Sequence, residues 1–598
     1  MARLAISKAF LTDYTRLDKE TRLAVDAAVS EFARHPHPAQ HLQLAPNAPD
    51  DRMRIMPVNS HWQGVVLAPA ATDVGPETYS LLTVRPRADV NGPAIDPEPE
   101  PPIPAHTHID AQFTYVNAPD ELQRVLDHPF TAWRTFLHPS QREIAFHPSY
   151  TGPVQVTGGP GTGKTVTLLH RAAHLATDNQ KILITTFNGN LAAALTAQLD
   201  LLVPEAEARR NIEVLNVDRL AYRVVKEARG TPLIADERAQ NARWSRAAEP
   251  TKFTPVFLKN EWEQVILAQN ITTAPAYLIC HRTGRGRPLT QAQRRQIWLA
   301  TQQVVADLAM ANESTGLQLA NEATSLLRNA KASRYQHVLV DEAQDLHPAQ
   351  WRLLRAAVTP GPDDLFIAAD PHQRVYDNRV SLASLGIGVR GRSKRLSLNY
   401  RTTQEILAWA VPLLGAEPAT GLDGEVDSLL GYRSPMHGAP PQLRMATTRE
   451  QEFKNLAERV GSWISAGIEP HAIGVAARSA TLVREAREAL QAHGIATVSP
   501  NGRGGAQAVR AGIMHAMKGL EFQAVAVVGV EAGQVPAPSA LTPAAEDPTA
   551  HEQDLQRERC VLFVACTRAR DHLYISGTGK SSPFLQAAPE NFTPRERD

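Results

Sequence analysis

The chain has 598 residues, with 62 Lys+Arg against 62 Asp+Glu and a formal net charge of +0. That length suggests about four domains at ~150 residues each. The charge balance excludes coating of nucleic acid through bulk charge, so any such surface must be a local groove. Three cysteines without ligand-like spacing, no apolar signal segment and no bilayer-length apolar run make a reduced, cytoplasmic chain with no membrane partner the expectation.

Residues 4–35 carry Ile6, Phe10, Leu11, Tyr14 and Leu17, then Leu23, Val25, Ala28 and Phe32, at helical spacing. This predicts two antiparallel helices. Three strand-like runs follow at 52–58, 62–67 and 79–84. Two helices and a small antiparallel sheet make an α+β domain over 1–90. The order, and the stretch from Met53 to Pro69, resembles the RelE/ParE-like toxin fold. Such toxins place basic and acid–base residues on the sheet. Here Arg52, Arg54, His61 and Arg85 make no such set, so a domain kept for packing, or for a protein partner, is expected. Residues 91–127 read as a Pro-rich acidic linker and lead-in. The stretch 119–137 looks helical.

In Leu137–Ile144, Gln141 can read adenine, since a carboxamide both donates and accepts. Equally, Ser140 can be a helix N-cap with Gln141 exposed. Gly158 to Thr165 then fits G-x-x-x-x-G-K-[ST], between the β-prone Pro153–Val156 and a helical Val166–Ala173. Gly158, Gly161 and Gly163 let backbone amides wrap a phosphate chain, Lys164 reaches the terminal phosphates, and the Thr165 hydroxyl sits on Mg²⁺. This strand–loop–helix predicts a bound nucleotide phosphate chain with Mg²⁺, and the resemblance given below implies that the nucleotide is ATP.

Lys181–Asn188 is a buried-type strand leaving into a polar loop, and 214–218 is another short strand. Residues 221–325 are mostly helical and read as an insertion. Its basic cluster, Arg282, Arg285, Arg287, Arg294 and Arg295, is either a solvated face or a phosphate contact. Val338–Val340 is an apolar strand that releases Asp341 and Glu342 at its carboxyl end. Asp341 would hold Mg²⁺ opposite Thr165, and Glu342 would take the proton of the attacking water.

Together these blocks resemble superfamily 1 helicases of the UvrD/Rep/PcrA type, over about 130–580. Asp370–Tyr376 resembles motif III, whose Gln373 would sense the γ-phosphate. Leu396–Thr402 resembles motif IV, with Tyr400 stacking on adenine and Arg401 on the γ-phosphate. His515–Phe522 resembles motif V, with His515 on DNA and Glu521 on the ribose. Val564–Arg570 resembles motif VI, with Arg568 as the second γ-phosphate arginine. Gln141 then fits the adenine-reading glutamine, and Phe187 and Asn188 fit motif Ia, which contacts single-stranded DNA. Three departures stand out: Ala368-Ala369-Asp370 where Gly-Asp is usual, Asp377–Val380 where strand-reading aromatics belong, and Asn216-Val217-Asp218 at motif Ib.

The resemblance implies an α/β fold with two RecA-like P-loop NTPase domains, a helical insertion in the first and a small α+β domain in front. Domain 1A would span 128–395, with insertion 1B at about 221–325. Domain 2A would span 396–598 and lack a large 2B insertion, because only Ser499–Arg510 fills the place where 2B enters. The implied activity is an ATP-dependent DNA helicase or translocase, moving 3′→5′ on single-stranded or tailed duplex DNA, with a place in repair or recombination. The alternative is an ATP-switched nucleic-acid-binding regulator tied to the toxin-like domain, without processive unwinding. A small-molecule P-loop kinase fails on the distant arginines and motif V.

Overall fold

The computed structural model describes residues 3–7, 10, 13–14, 17–34, 42–44, 52–69, 78–87 and 113–116. It then describes 137–587 apart from 138, 177–179, 204–205, 283, 331–332, 376–380, 416–418, 430, 435, 501 and 503–506. The chain divides into two compact units, Met1–Phe146 and His147–Asp598.

In the first unit, strands β1 (Arg3–Ser7), β2 (Gln43–Leu44), β3 (Met53–Pro57), β4 (Trp62–Leu67), β5 (Thr78–Pro86) and β6 (Phe113–Val116) form one sheet in the order β2-β3-β4-β5-β1-β6. β1 runs parallel to β5, and every other pairing is antiparallel. The helix Lys19–Arg34 starts where Asp18 accepts from the Thr21 amide at 2.8 Å, a side-chain cap on an orphan donor. Its Val25, Val29 and Phe32 pack with Phe10 and Tyr14 against Met56, Val66, Tyr79 and Leu81.

Two expectations change here. Of the first predicted helix, residues 3–7 are instead strand β1, while Phe10, Asp13 and Tyr14 are helical as expected; periodicity does not show where a partner strand offers an edge. The sheet does not end near residue 90, since β6 pairs with β1 from inside the expected linker. The Pro-rich stretch 91–105 and the helix expected through Phe136 lie outside the described residues.

The second unit holds two parallel sheets. The first is β7 (Val154–Gly158), β8 (Ile182–Thr186), β9 (Ile212–Asn216), β10 (His337–Val340), β11 (Leu365–Ala369) and β12 (Ser393–Leu396), in the order β12-β7-β11-β10-β8-β9. β8, β10 and β11 are buried end to end, as strands covered on both faces require. The second is β13 (Gln442–Ala446), β14 (Ile473–Ala477), β15 (Thr497–Val498), β16 (Val509–Ile513), β17 (Phe522–Val528) and β18 (Ala569–Thr578), in the order β13-β18-β17-β14-β16-β15. Residues 499–508 join β15 to β16.

The insertion is narrower than 221–325. Helices Val217–Arg229 and Gly316–Ala330 bury Leu220, Val224, Leu319 and Ala323 in the first sheet's own core. The separate helical core runs from Ala235 to Leu308, around Trp244, Trp262 and Tyr277. Helical periodicity alone does not tell which core a helix face meets.

The crossing between the sheets is not the single step expected at residue 396. Helix Gln404–Ala410 buries Ile406 and Trp409 in the second core. The ribbon Ala419–Thr420/Val426–Asp427 then returns, with Leu422 in the first core. Only afterwards does β13 enter the second sheet.

Behind the phosphate loop, fully buried Arg171 pairs with Asp363 at 2.6 Å. Burial works against the Asp363 charge, but Ser149 at 2.7 Å, the Tyr150 amide at 2.8 Å and Arg171 hold its pKa below the usual value. Its contribution is therefore complete above the ordinary carboxylate pKa and is lost as pH falls through the lowered one. Asp363→Ala takes a carboxylate away from a buried guanidinium, and the expected loss is ~3–5 kcal/mol. Denaturant unfolding at pH 7 measures it. A change below ~1 kcal/mol would put the pair with weak surface ion pairs.

Candidate active site

Parallel strands bring their carboxyl ends to one edge of the first sheet, where ligands bind in open α/β sheets. β7 ends in the glycine loop, which turns into helix Lys164–Leu175. Gly161 and Gly163 sit at φ 71° and 78°, a left-handed conformation that favours glycine. Lys164 Nζ donates to the carbonyls of Gly158 at 2.7 Å and Gly159 at 2.8 Å, and lies 3.4 Å from Asp370 Oδ2. The Tyr400 amide donates to Gly161 O at 2.8 Å, so motif IV touches the loop through its backbone.

β10 delivers the two carboxylates. The Thr165 hydroxyl lies 3.2 and 3.0 Å from the two Asp341 oxygens. Burial and the neighbouring Glu342 charge push the Asp341 pKa up. Glu342 is held low: burial opposes its charge, but Lys518, Lys164 and Arg568 outweigh it. Glu342 also takes a left-handed φ of 52°, a strain of ~1–3 kcal/mol for a non-glycine residue. Gln344 Nε2 donates to Glu342 Oε2 at 2.6 Å, while its Oε1 accepts the Asp370 amide at 2.9 Å. An oxygen-only pair of one hydroxyl and one carboxylate suits a hard Mg²⁺ that keeps waters and phosphate oxygens as its other ligands. Among the described residues no group of three or more His, Cys, Asp or Glu could hold a metal by itself.

Side chains of the second sheet complete the cluster. Lys518, buried, pairs with Asp345, lies 3.3 Å from Glu342 and donates to Gln373 O at 2.7 Å. Burial opposes its charge, yet Asp345 and Glu342 raise its pKa. Arg568 donates from Nη2 to Gln373 Oε1 and from Nε to Val564 O, both at 2.9 Å. Gln373 Nε2 donates to Asp370 Oδ2 at 2.5 Å. Burial, helped by Arg401, pushes the Arg568 pKa down to about 9, which leaves a cation at neutral pH.

The geometry thus joins Lys164, Thr165, Asp341, Glu342, Gln373 and Arg568. Arg401 lies beside Arg568 but spends its guanidinium on Glu521, with Nε 2.7 Å from Oε1. Gln141 is buried in helix Pro139–Ala145 of the first unit, not exposed behind a cap. Of the residues expected on DNA, Phe187 packs against the first core, and Asn188 caps helix Gly189–Leu202 by accepting the Leu191 amide at 2.9 Å. Burial and nearby Arg478 push His515 down to about 4, so it is neutral. Asp377–Val380 lies outside the described residues.

The insertion's basic cluster is divided: Arg295 is exposed, while Arg282, Arg287 and Arg294 are engaged within the protein. The Arg282 side chain pairs with Glu261 at 2.6 Å, Arg287 covers Phe253 and Phe257, and Arg294 donates to the carbonyls of Tyr277, Leu278 and Cys280. Its loop docks on the second sheet domain, with Gln553 donating to Gly284 O at 3.0 Å and the Arg287 amide to Asp547 at 3.3 Å. Sequence reasoning also missed Lys518, Gln344 and Asp370. Lys518 carried a signal, a lone lysine beside buried Met517 in the motif V block.

A glycine loop on one parallel sheet, met by cations from a second, defines a P-loop NTPase of RecA-like helicase architecture. The UvrD/REP helicase N-terminal domain model matches residues 137–385, and the UvrD-like helicase C-terminal domain model matches 506–580. The two cover more than half of the chain, which belongs to the UvrD-like helicase family. It is 26% identical over 404 residues to the ATP-dependent DNA helicase UvrD2 of Mycobacterium tuberculosis, covering 62% of this chain and 55% of that protein. It is 23% identical to the ATP-dependent DNA helicase srs2 of Schizosaccharomyces pombe, covering 61% and 44%. It is 22% identical to a probable DNA helicase of Mycoplasma pneumoniae, covering 76% and 86%. The chain therefore spans about half the length of UvrD2 and of srs2. No helix among the described residues is long and apolar enough to cross a membrane.

Proposed function

We propose that this protein is an ATP-hydrolysing DNA helicase that translocates on single-stranded DNA, 3′→5′ by family analogy. One observation carries the reading. Lys518 and Arg568 reach from the second sheet domain onto Glu342 and Gln373 of the first. A site split in this way is complete only when two domains are closed, so hydrolysis and domain motion are coupled.

In this reading Lys164 and Arg568 neutralise the terminal phosphate, and Glu342 orients and deprotonates the attacking water. Gln373 links Arg568 to Asp370 and so relays the phosphate state across the cleft. Thr165 and Asp341 would hold Mg²⁺, which supplies charge neutralisation on the phosphates when bound. Arg401 must leave Glu521 before it can join the γ-phosphate, and that frees Glu521 for the ribose. The short link 499–508 leaves no room for a swivelling 2B domain at that point. The first unit serves as a binding module for a protein partner.

The test is strand displacement on a 3′-tailed duplex with ATP and Mg²⁺. We expect displacement, and ATPase stimulated at least tenfold by single strands. Stimulated ATPase without displacement on either a 3′- or a 5′-tailed duplex would favour the ATP-switched regulator instead.

A further inference from the structure

We propose that Tyr432 is a positioning residue for the phosphate-loop lysine, acting through the Gly158–Gly159 peptide. The inference rests on the nucleotide-site reading, but Tyr432 lies outside both matched stretches, 137–385 and 506–580.

The Gly159 amide donates to the Tyr432 hydroxyl, while Lys164 Nζ donates to the carbonyl of Gly158 at 2.7 Å. These two groups belong to one peptide unit. No cis bond occurs there, and a trans peptide points its C=O and N–H in opposite directions. Lys164 and Tyr432 therefore grip the same rigid plane from its two ends. The Tyr432 ring adds a second restraint, because a Cβ on Gly159 would run into it. The next residue is Pro160, which has no N–H to offer a competing bond.

Tyr432 is itself anchored to the first sheet domain. Arg395 lies 5.6 Å from its ring centroid and 3.2 Å from Asp427, which also lies 3.5 Å from His372. The Arg374 guanidinium donates to Thr420 O at 3.0 Å, and the Asn399 amide to Arg433 O at 2.9 Å. The returning ribbon is thus tied to motif III on one side and to motif IV on the other, and Tyr432 carries that framework to the peptide that seats Lys164. Without the hydroxyl, the Gly158–Gly159 plane loses its hold on the amide side, and the acceptor that seats Lys164 is less firmly fixed.

Tyr432→Phe keeps the ring and removes only the hydroxyl. Titration with ribose-labelled fluorescent ATP and AMP, with melting temperature in parallel, reads the effect. One hydrogen bond's worth predicts about a fivefold to tenfold weaker affinity for the triphosphate, no change for the monophosphate and an unchanged melting temperature. In a Lys164→Ala background the same substitution should change nothing, since the group it positions is gone. Equal affinity of Tyr432→Phe and the unmodified protein overturns the proposal. So does an equal loss in the Lys164→Ala background, or an equal loss for both nucleotides with a lower melting temperature, which assigns Tyr432 to packing alone. If the unmodified protein binds neither nucleotide, the nucleotide-site reading itself falls.

Discussion

Glu342→Gln is expected to stop ATP hydrolysis while leaving ATP bound. The substitution is nearly isosteric, so Lys164 stays in place for the phosphate chain and Thr165 for Mg²⁺ in the proposed site. What disappears is the proposed acceptor for the water proton, and such a base typically contributes ~10²–10⁴-fold. The surroundings favour that role. Gln344 at 2.6 Å and Lys518 at 3.3 Å orient the carboxylate, and the left-handed backbone at φ 52° aims it. Burial would normally protonate such a group, but Lys518, Lys164 and Arg568 keep it charged. A neutral amide also removes one of two carboxylates facing Lys518. Asp345 still pairs with that lysine, so the fold should hold. Single-turnover hydrolysis and fluorescent ATP titration measure the two halves of the prediction. Turnover within tenfold of the unmodified enzyme would remove Glu342 from the chemistry.

The phosphate loop and the tandem carboxylates were legible because each is local. A short apolar strand, its end and the polar residues released there lie within about ten positions of one another. Gln373 and Arg568 were legible only as members of ordered blocks, since nothing near Arg568 in sequence announces that its guanidinium meets Gln373. Tyr432 was not legible at all. Its partner is Gly159, and no spacing rule links a tyrosine in a polar ribbon to a glycine loop on another element. The arginines of the insertion misled for a related reason. Charge density along the chain suggests solvent or phosphate, yet Glu261, two phenylalanine rings and backbone carbonyls engage Arg282, Arg287 and Arg294, and Arg295 alone of the four stays exposed. The N-terminus failed differently: Phe10 and Tyr14 are helical, as their spacing suggests, but Arg3–Ser7 pairs with β5 as a strand, and sheet pairing is a tertiary event.

Arg568→Ala should lower kcat by about 10³–10⁵-fold, with KM for ATP changed by no more than a few-fold. An arginine supplied across a domain boundary acts on charge that develops in the transition state, and this one has the burial for it, at 1% exposure. Its partners here are neutral: the Gln373 carboxamide and the Val564 carbonyl. Removing it therefore leaves unmet acceptors and not an isolated buried carboxylate, at a cost of ~1–3 kcal/mol. The variant should stay folded, so the loss of rate can be read as chemistry. Arg568→Lys sharpens the case. Lysine restores the charge but not the planar fork that spans Gln373 and a phosphate oxygen together, so it should recover little of kcat. Steady-state ATPase with saturating single-stranded DNA, beside thermal melting, gives kcat, KM and folding at once. A raised KM with kcat intact would place Arg568 in ground-state binding, and the two sheet domains would then meet at the nucleotide only to hold it.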